Sequence, residues 1–148
     1  MLSQRLVALI EAHAEEMARQ VVGLALTNPR TPHVGRFPSE EMRRRAYEVY
    51  HNLGRWLDRQ AETAIEETYG KLGRVRANEG IPLEEVVYAQ LLIKHHLRHF
   101  VRGSGLGDTA LDLYQEEELH LQVEQFFDRA IYYTVKGYGE AAGWRRAS

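Results

Sequence analysis

The apolar residues of this chain recur at steps of three and four residues, and this spacing constrains the fold more than any other feature. In the first segment Leu6, Ile10, Met17 and Val21 share one face, while charged residues such as Arg19 occupy the other. Such a stripe is typical of an amphipathic helix that packs on a core. Because no segment shows the sustained alternation of a half-buried strand, the sequence predicts an all-α fold.

Prolines and glycines divide this pattern into segments. Residues 28–38 hold three of the four prolines and form the long irregular loop of the chain. We predict five or six helices in a single domain of residues 1–148, since one domain typically holds roughly 100–200 residues. The predicted helices cover 2–26, 39–57 with its continuation to 78, 82–101, and 108–138.

Individual residues inside these segments carry further predictions. Gly54 is expected to kink its helix, and Asp108 is expected to cap the last one. Gly70 and Gly73 either break a helix or allow another helix to cross closely, because a residue without a side chain does both.

Composition excludes several classes of protein. A net charge of −2 lacks the basic excess of a nucleic-acid binder, and the arginines at 43–45 lie beside acidic residues on a solvated helix face. The absence of cysteine excludes disulfides, iron–sulfur clusters and thiol nucleophiles. No stretch approaches the ~18 apolar residues of a membrane helix, and no signal-peptide pattern is present. We therefore expect a cytoplasmic protein with neither nucleic-acid nor membrane partners.

Histidines are the candidates for metal or haem ligands. His95 and His99 stand four residues apart, so they share a helix face and could hold one metal ion or a haem edge. A metal site needs three or four ligands, however, and the segment lacks the glutamate of an HExxH motif. Glu117 and His120 match one ExxH element of a di-iron bundle, but such a site needs two of these elements and two more glutamates on facing helices. We expect no catalysis and no cofactor, with a haem- or metal-binding protein as the alternative.

A helix corner around Gly80 is the most specific local pattern. Gly80 is placed to end one helix, and Pro82 is placed in the first turn of the next, whose start is acidic. Arg76 is expected to pair with Glu79 or Glu84 across the corner and so to fix the angle between the two helices. The functional interpretation is that this corner transmits a signal, although a stable corner needs no signal to explain it.

This corner resembles the N-terminal domain family of RsbT co-antagonist (RsbRD-type) proteins, found in stressosome subunits and at the front of some sensor kinases. The residues that match the family pattern are Arg76, Gly80, Ile81, Leu83, Glu85, Val86 and Val87. The resemblance implies a globin-like helical bundle, usually without haem, that dimerises and relays a signal to an output domain or partner signalling protein. The signal-relay corner would comprise Arg76, Gly80, Pro82 and Glu85. The chain is then either a free-standing sensor or the N-terminal piece of a longer protein.

Two surfaces are expected to serve this sensor role. The first and last helices carry more apolar positions than one packing face needs, and they predict a homodimer interface. Its residues would be Leu2, Leu6, Leu9, Leu113, Leu119, Phe126 and Phe127. A ligand cavity in the place of a globin's haem would be lined by Trp56, Tyr69, Tyr88 and Phe100. Aromatic residues at helical spacing are more often plain core, which is the competing interpretation.

Overall fold

Helices joined by short turns make up the computed structural model, which describes residues 2–36, 39–105 and 109–144. Within these ranges the α-helices are α1 (Leu2–Ala12), α2 (Ala14–Thr27), α3 (Ser39–His51), α4 (Leu53–Trp56), α5 (Glu62–Asn78), α6 (Leu83–Gly103) and α7 (Ala110–Ala141). Single 3-10 turns cover Val34–Arg36 and Arg59–Ala61, and the described residues contain no strand. The all-α prediction is confirmed, with seven described helices in place of five or six.

The first additional helix arises because the predicted first helix is interrupted at His13. Its φ of −104° and ψ of 15° depart from helical geometry between α1 and α2. The ring Nδ1 of His13 lies 2.9 Å from the carbonyl oxygen of Leu9. The backbone amide of Met17 still bonds to the His13 carbonyl, so α2 follows α1 after a bend rather than after a loop.

The second additional helix arises at Asn52, two residues before the kink predicted at Gly54. Asn52 has φ of −109° and ψ of 25°, and its side-chain amide donates to the carbonyl of Glu48 at 3.1 Å. A side chain that bonds to the backbone of its own turn competes with regular helix bonding. Gly54 itself lies inside α4, so the kink prediction is wrong by half a turn.

Helices α5 and α7 approach each other more closely than ordinary side chains permit. A Cβ atom on Gly137 would lie 2.1 Å from the carbonyl oxygen of Gly70, and one on Gly73 would lie 2.0 Å from that of Thr134. Because α5 continues unbroken through both of its glycines, they serve a close crossing and not a helix break. This pair makes the most extensive helix–helix contact in the described chain, and α2 with α3 makes the second.

The core consists of two apolar clusters. The larger one fills the space between all the long helices and includes the fully buried Tyr50, whose hydroxyl donates to the Ile93 carbonyl at 2.7 Å. The smaller one joins the proline loop, the start of α3 and the corner between α5 and α6. Its buried members are Val22, Ala25, Val34, Met42, Ile81 and Val86.

The last helix begins with a different cap from the predicted one. The side-chain oxygen of Thr109 accepts a hydrogen bond from the backbone amide of Asp112 at 3.0 Å, which is the geometry of an N-cap. Asp108 lies outside the described residues. Among the helices that the structure describes, none combines the length and the apolar character needed to cross a bilayer.

Candidate functional site

A cavity of about 480 Å³ opens between α3, α5 and α6, next to the corner. This volume lies within the range of roughly 300–1,000 Å³ that small-molecule sites occupy in proteins. Most of its wall is apolar, and the 3-10 turn of the proline loop and α7 each contribute one residue to it. The apolar lining includes Val34, Met42, Val49, Leu72, Ile93 and Phe127.

Two of the four aromatic residues predicted for a cavity line this one. Trp56 and Tyr69 are both buried, their ring centroids are 5.9 Å apart, and the rings meet edge to face. Burial raises the pKa of the Tyr69 hydroxyl above its ordinary value, so this group stays a neutral phenol. The aromatic pair therefore offers an uncharged surface to a ligand.

Tyr88 and Phe100, the other two predicted cavity residues, lie elsewhere. The Tyr88 hydroxyl accepts a hydrogen bond from Arg30 at 3.3 Å, on the face of α6 that turns toward the proline loop. Phe100 stands about two turns beyond the cavity residue Ile93 and packs against the ring of His13, with centroids 5.7 Å apart. Helix α6 is apolar on more than one face. The cavity prediction is wrong for Tyr88 because it lies on another face, and wrong for Phe100 because it lies too far along the helix.

Charged residues also line the cavity. Its lining contains Arg44, Arg45, Arg55 and Arg76, against one acidic residue, Glu48. The guanidinium of Arg55 lies 5.9 Å from the centre of the Trp56 ring.

One carboxylate oxygen is shared by two of these arginines. Glu41 Oε1 lies 3.1 Å from Nη2 of Arg76 but 3.8 Å from Nε of Arg45, beyond hydrogen-bond distance. The Arg45 Nε atom is buried and has no hydrogen-bond partner within the described ranges. Burial and the neighbouring positive charge of Arg76 lower the pKa of Arg45. Arg45 thus retains positive charge that nearby carboxylates neutralise incompletely.

Gln90 is the buried polar residue of the cavity wall. Its Nε2 donates to the Thr134 hydroxyl oxygen at 2.8 Å, and that hydroxyl donates in turn to the Ala130 carbonyl at 2.7 Å. Since the Thr134 proton is already used, the group facing it must be the NH2 of Gln90 and not the carbonyl. The remaining atom, Gln90 Oε1, is buried without a partner in the described part of the chain.

The predicted corner is built as a continuous network. Gly80 has a φ of +74°, the left-handed conformation that favours glycine after a helix end. The amide of Ile81 bonds to the Arg76 carbonyl at 3.1 Å, and the hydroxyl of Tyr138 on α7 donates to the Ile81 carbonyl at 2.6 Å. Pro82 is the N-cap residue of α6, one position before the predicted first turn.

Arg76 is 7% exposed and binds two carboxylates at this corner. Its Nη1 lies 3.0 Å from Glu79, as one of the two predicted pairings requires. The second carboxylate is Glu41 of α3 rather than the predicted Glu84, which is exposed in the first turn of α6. The arginine therefore connects the corner to another helix as well as stabilising the corner itself.

Glu85 connects the corner to the proline loop. Its side chain is 4% exposed, and Oε1 accepts hydrogen bonds from the backbone amides of His33 at 2.7 Å and Val34 at 3.2 Å. The other oxygen, Oε2, contacts Nδ1 of the His33 ring. A buried carboxylate that receives several donors is a strong local constraint. Sequence reasoning assigned Glu85 to the corner but did not find His33 as its partner.

The histidines of α6 lie outside the cavity. His95 and His99 are exposed, while His96 is half-buried with Nε2 2.7 Å from Oε1 of Gln20. Burial, and secondarily His99, lower the pKa of His96 below its ordinary value. The described lining of the cavity includes no histidine, so it offers no axial ligand to a haem.

His120, the third candidate ligand, is buried on α7. Neither ring nitrogen has a hydrogen-bond partner among the described residues, and the Glu116 carboxylate lies 3.7 Å from Nε2. Throughout residues 2–36, 39–105 and 109–144, no group of three or more histidine, aspartate or glutamate side chains could hold a metal ion. His95, His99 and His120 therefore do not form a common metal site.

Most of the predicted dimer residues belong to the core of a single chain. The fully or almost fully buried ones are Leu6, Leu119, Phe126 and Phe127, while Leu9 is half-buried and Leu113 is exposed. The side chain of Leu2 lies outside the described part. The interface prediction was wrong for the buried residues because an apolar face of α7 packs inward against α1, α5 and α6.

Helix α7 has a second stripe that faces solvent. Leu111, Tyr114, Leu121 and Tyr132 are each more than half exposed. Together with the exposed positions 118, 125 and 128, they recur at alternating steps of three and four residues. This spacing matches that of a helix that pairs with another helix, with apolar or aromatic residues at four of the seven positions and Glu118, Gln125 and Asp128 at the other three.

One sign of the cavity is present in the sequence but was not used in predicting it. Gln90 interrupts the buried stripe of α6 formed by Val86, Ile93 and Leu97, and a polar residue at a core position needs a partner. The incomplete neutralisation of Arg45 could not be recognised in the sequence, since this residue lies in a run of arginines. Comparison of the chain with protein-family models, with curated proteins and with solved structures finds no match.

Proposed function

We propose that this chain is a haem-free, globin-like sensor domain that binds a small molecule in the cavity beside the corner. It acts in the cytoplasm, without catalysis, and reports occupancy of the cavity to an output domain or partner signalling protein. The observation that carries the proposal is the position of the cavity. Arg76 and Val86, which flank the corner, also form part of the cavity wall.

Transmission would follow from this shared wall. Val34 lines the cavity, and its backbone amide is bonded to Glu85 at the start of α6. A ligand that displaces Val34, Arg76 or Val86 must therefore disturb the bonds of the corner or of the proline loop. Differential contact of this kind is what couples binding to a change of conformation.

The homodimer belongs to the same proposal, with the outward stripe of α7 as its interface and a second copy as its partner. In an antiparallel pair centred on Leu121, that residue meets itself across the two-fold axis. Leu111 then lies opposite Tyr132, and Tyr114 lies opposite Asp128, whose carboxylate can accept from its hydroxyl. The stripe is thus self-complementary in both apolar and polar positions.

Native mass spectrometry and a cavity-filling variant test ligand binding. Freshly purified protein should carry a small molecule that is removed on unfolding, and Ala89→Trp, which fills the cavity, should prevent its retention. Ala110→Trp, at an exposed position on α7, is the matched control and should retain the molecule. An intense Soret absorbance, or equal ligand retention by both variants, would overturn the proposal.

Hydrogen exchange tests transmission. Ligand binding should alter exchange at the amides of His33 and Val34, which bond to Glu85, and at Ile81, which bonds to Arg76. Amides in α1, which does not line the cavity, serve as the internal control. Protection confined to the cavity wall, without change at the loop or corner amides, would contradict the relay.

A further inference from the structure

We propose that the ligand of this cavity is an organic anion with an apolar body and one hydrogen-bond donor. This inference rests on the proposed function, since it requires that the cavity bind a small molecule. It names the chemistry of the ligand from three features of the wall: an acceptor without a donor, a cation without a full counter-charge, and an aromatic and aliphatic surface.

The acceptor is Gln90 Oε1. The amide is held in one orientation because Thr134 can only accept from it, so Oε1 cannot exchange places with the NH2 group. Leaving a buried carbonyl without a donor costs free energy, because the group has lost its hydrogen bonds to water. A ligand N–H or O–H recovers that free energy once a small shift of the cavity wall uncovers this buried atom, and a ligand with only acceptors at this place is disfavoured.

The cation is Arg45. Its Nε is buried without a hydrogen-bond partner in the described chain, and the nearest carboxylate oxygen is already bonded to Arg76. Arg44 and Arg55 line the same cavity and add positive charge. The two oxygens of a carboxylate, or two of the three oxygens of a sulfonate, can meet the fork of donors on a guanidinium, and such charge-assisted bonds are roughly twice as strong as neutral ones.

The remaining wall selects the body of the ligand. Trp56 and Tyr69 present aromatic surface, and Leu72, Ile93 and Phe127 present apolar surface. A highly hydrated inorganic anion would leave this surface without contact. An aromatic or branched hydrocarbon body removes this surface from water, which favours binding.

A matched pair of fluorescent probes tests the inference. The first is 8-anilino-1-naphthalenesulfonate, which has an apolar body, an N–H donor and a negative charge. The second is N-phenyl-1-naphthylamine, which has the same body and donor without the charge. We expect the anionic probe to bind at one site per chain and about tenfold more tightly than the neutral probe, the ratio expected for one charge-assisted bond.

Variants then assign the binding to the two polar groups. Arg45→Met should weaken the anionic probe about tenfold and leave the neutral probe within about twofold, whereas Gln90→Leu should weaken both because both carry the N–H. Arg19→Met, at an arginine that is exposed on α2 and outside the lining, is the charge-matched control. Arg55→Met provides a second test at the cavity wall if Arg45→Met does not fold.

The outcomes separate the two proposals. If Ala89→Trp abolishes binding of both probes and Arg45→Met or Arg55→Met removes the preference for the anion, the inference stands. If Ala89→Trp abolishes binding but the parent chain and the other variants bind the two probes equally, the inference of an anionic ligand is overturned. The cavity then remains a binding site. If Ala89→Trp leaves both probes bound, the cavity is not the site and the proposed function fails with it.

Discussion

Alanine at Gly137 should destabilise the protein, whereas alanine at Gly23 should stabilise it. Both glycines lie inside helices, where alanine is favoured over glycine by about 0.5–1 kcal/mol. A Cβ on Gly23 meets no atom within 4 Å, so this variant gains the full propensity term. The same atom on Gly137 would lie 2.1 Å from the Gly70 carbonyl oxygen, more than an ångström inside ordinary contact.

The size of the loss follows from what must move. The obstructing atoms belong to the backbone of α5, so no side-chain rotation relieves the overlap and the two helices must separate. When the separation between two contacting atoms increases by 0.5–1 Å, the contact loses roughly a quarter to a half of its dispersion energy. Overpacking of a core typically costs about 1–3 kcal/mol, and a backbone clash belongs at or above the upper end. We expect a net loss of about 3 kcal/mol for Gly137→Ala, or a melting temperature about 10 °C lower.

Thermal and urea unfolding followed by circular dichroism would measure both variants against the parent chain. The same glycine-to-alanine change is expected to lower the free energy of unfolding at position 137 and to raise it at position 23. This contrast separates the effect of the close crossing from the effect of helix propensity. A Gly137→Ala variant as stable as Gly23→Ala would refute the crossing geometry and, with it, the explanation for the glycines of α5.

Three further predictions concern the corner, the dimer and the half-buried histidine. Glu85→Gln should lower the free energy of unfolding by about 1–3 kcal/mol and speed proteolysis of residues 28–36, because the loop amides lose a charged acceptor; unchanged cleavage would contradict the role of Glu85. Leu121→Glu should shift the species measured by light scattering from dimer to monomer, since the new charges meet across the two-fold axis, while Leu24→Glu on α2 should not. Because the pKa of His96 is lowered from 6.5 by burial, the unfolded chain binds more protons as pH falls below about 6.5, and native stability declines there. His96→Gln should flatten this decline in urea midpoints measured between pH 5 and 8, and a parallel decline in both proteins would exclude His96 as its source.

Helix periodicity was sufficient to predict the fold class, because stripes at three- and four-residue steps have few alternatives. The breaks at His13 and Asn52 were not predictable in the same way. Neither residue is a strong helix breaker, and the two bends depend on local side-chain contacts with Leu9 and Glu48. The role of Gly70 stayed open for a similar reason, because its partner lies far along the chain in α7.

The candidate site was predictable in its local parts only. The pairing of Arg76 with Glu79 lies within one turn and follows from spacing, whereas the contact with Glu41 joins two helices that the pattern does not place. Similarly, the cap at Gly80 is a local signal, but the partner of Glu85 comes from a loop that precedes it by many residues. Contacts between distant segments require the packing of the whole bundle, which periodicity does not specify.

The ion pair between Arg76 and Glu41 has a mechanical consequence. Two walls of the cavity are α3 and α5, and each of these helices packs extensively against another helix, α3 against α2 and α5 against α7. Arg76 extends from α5 and Glu41 from α3, so their ion pair connects the two helix pairs. An anion that binds Arg45 would compete with Glu41 for positive charge beside this ion pair. Recognition of charge would then weaken one connection between the two pairs in the same event.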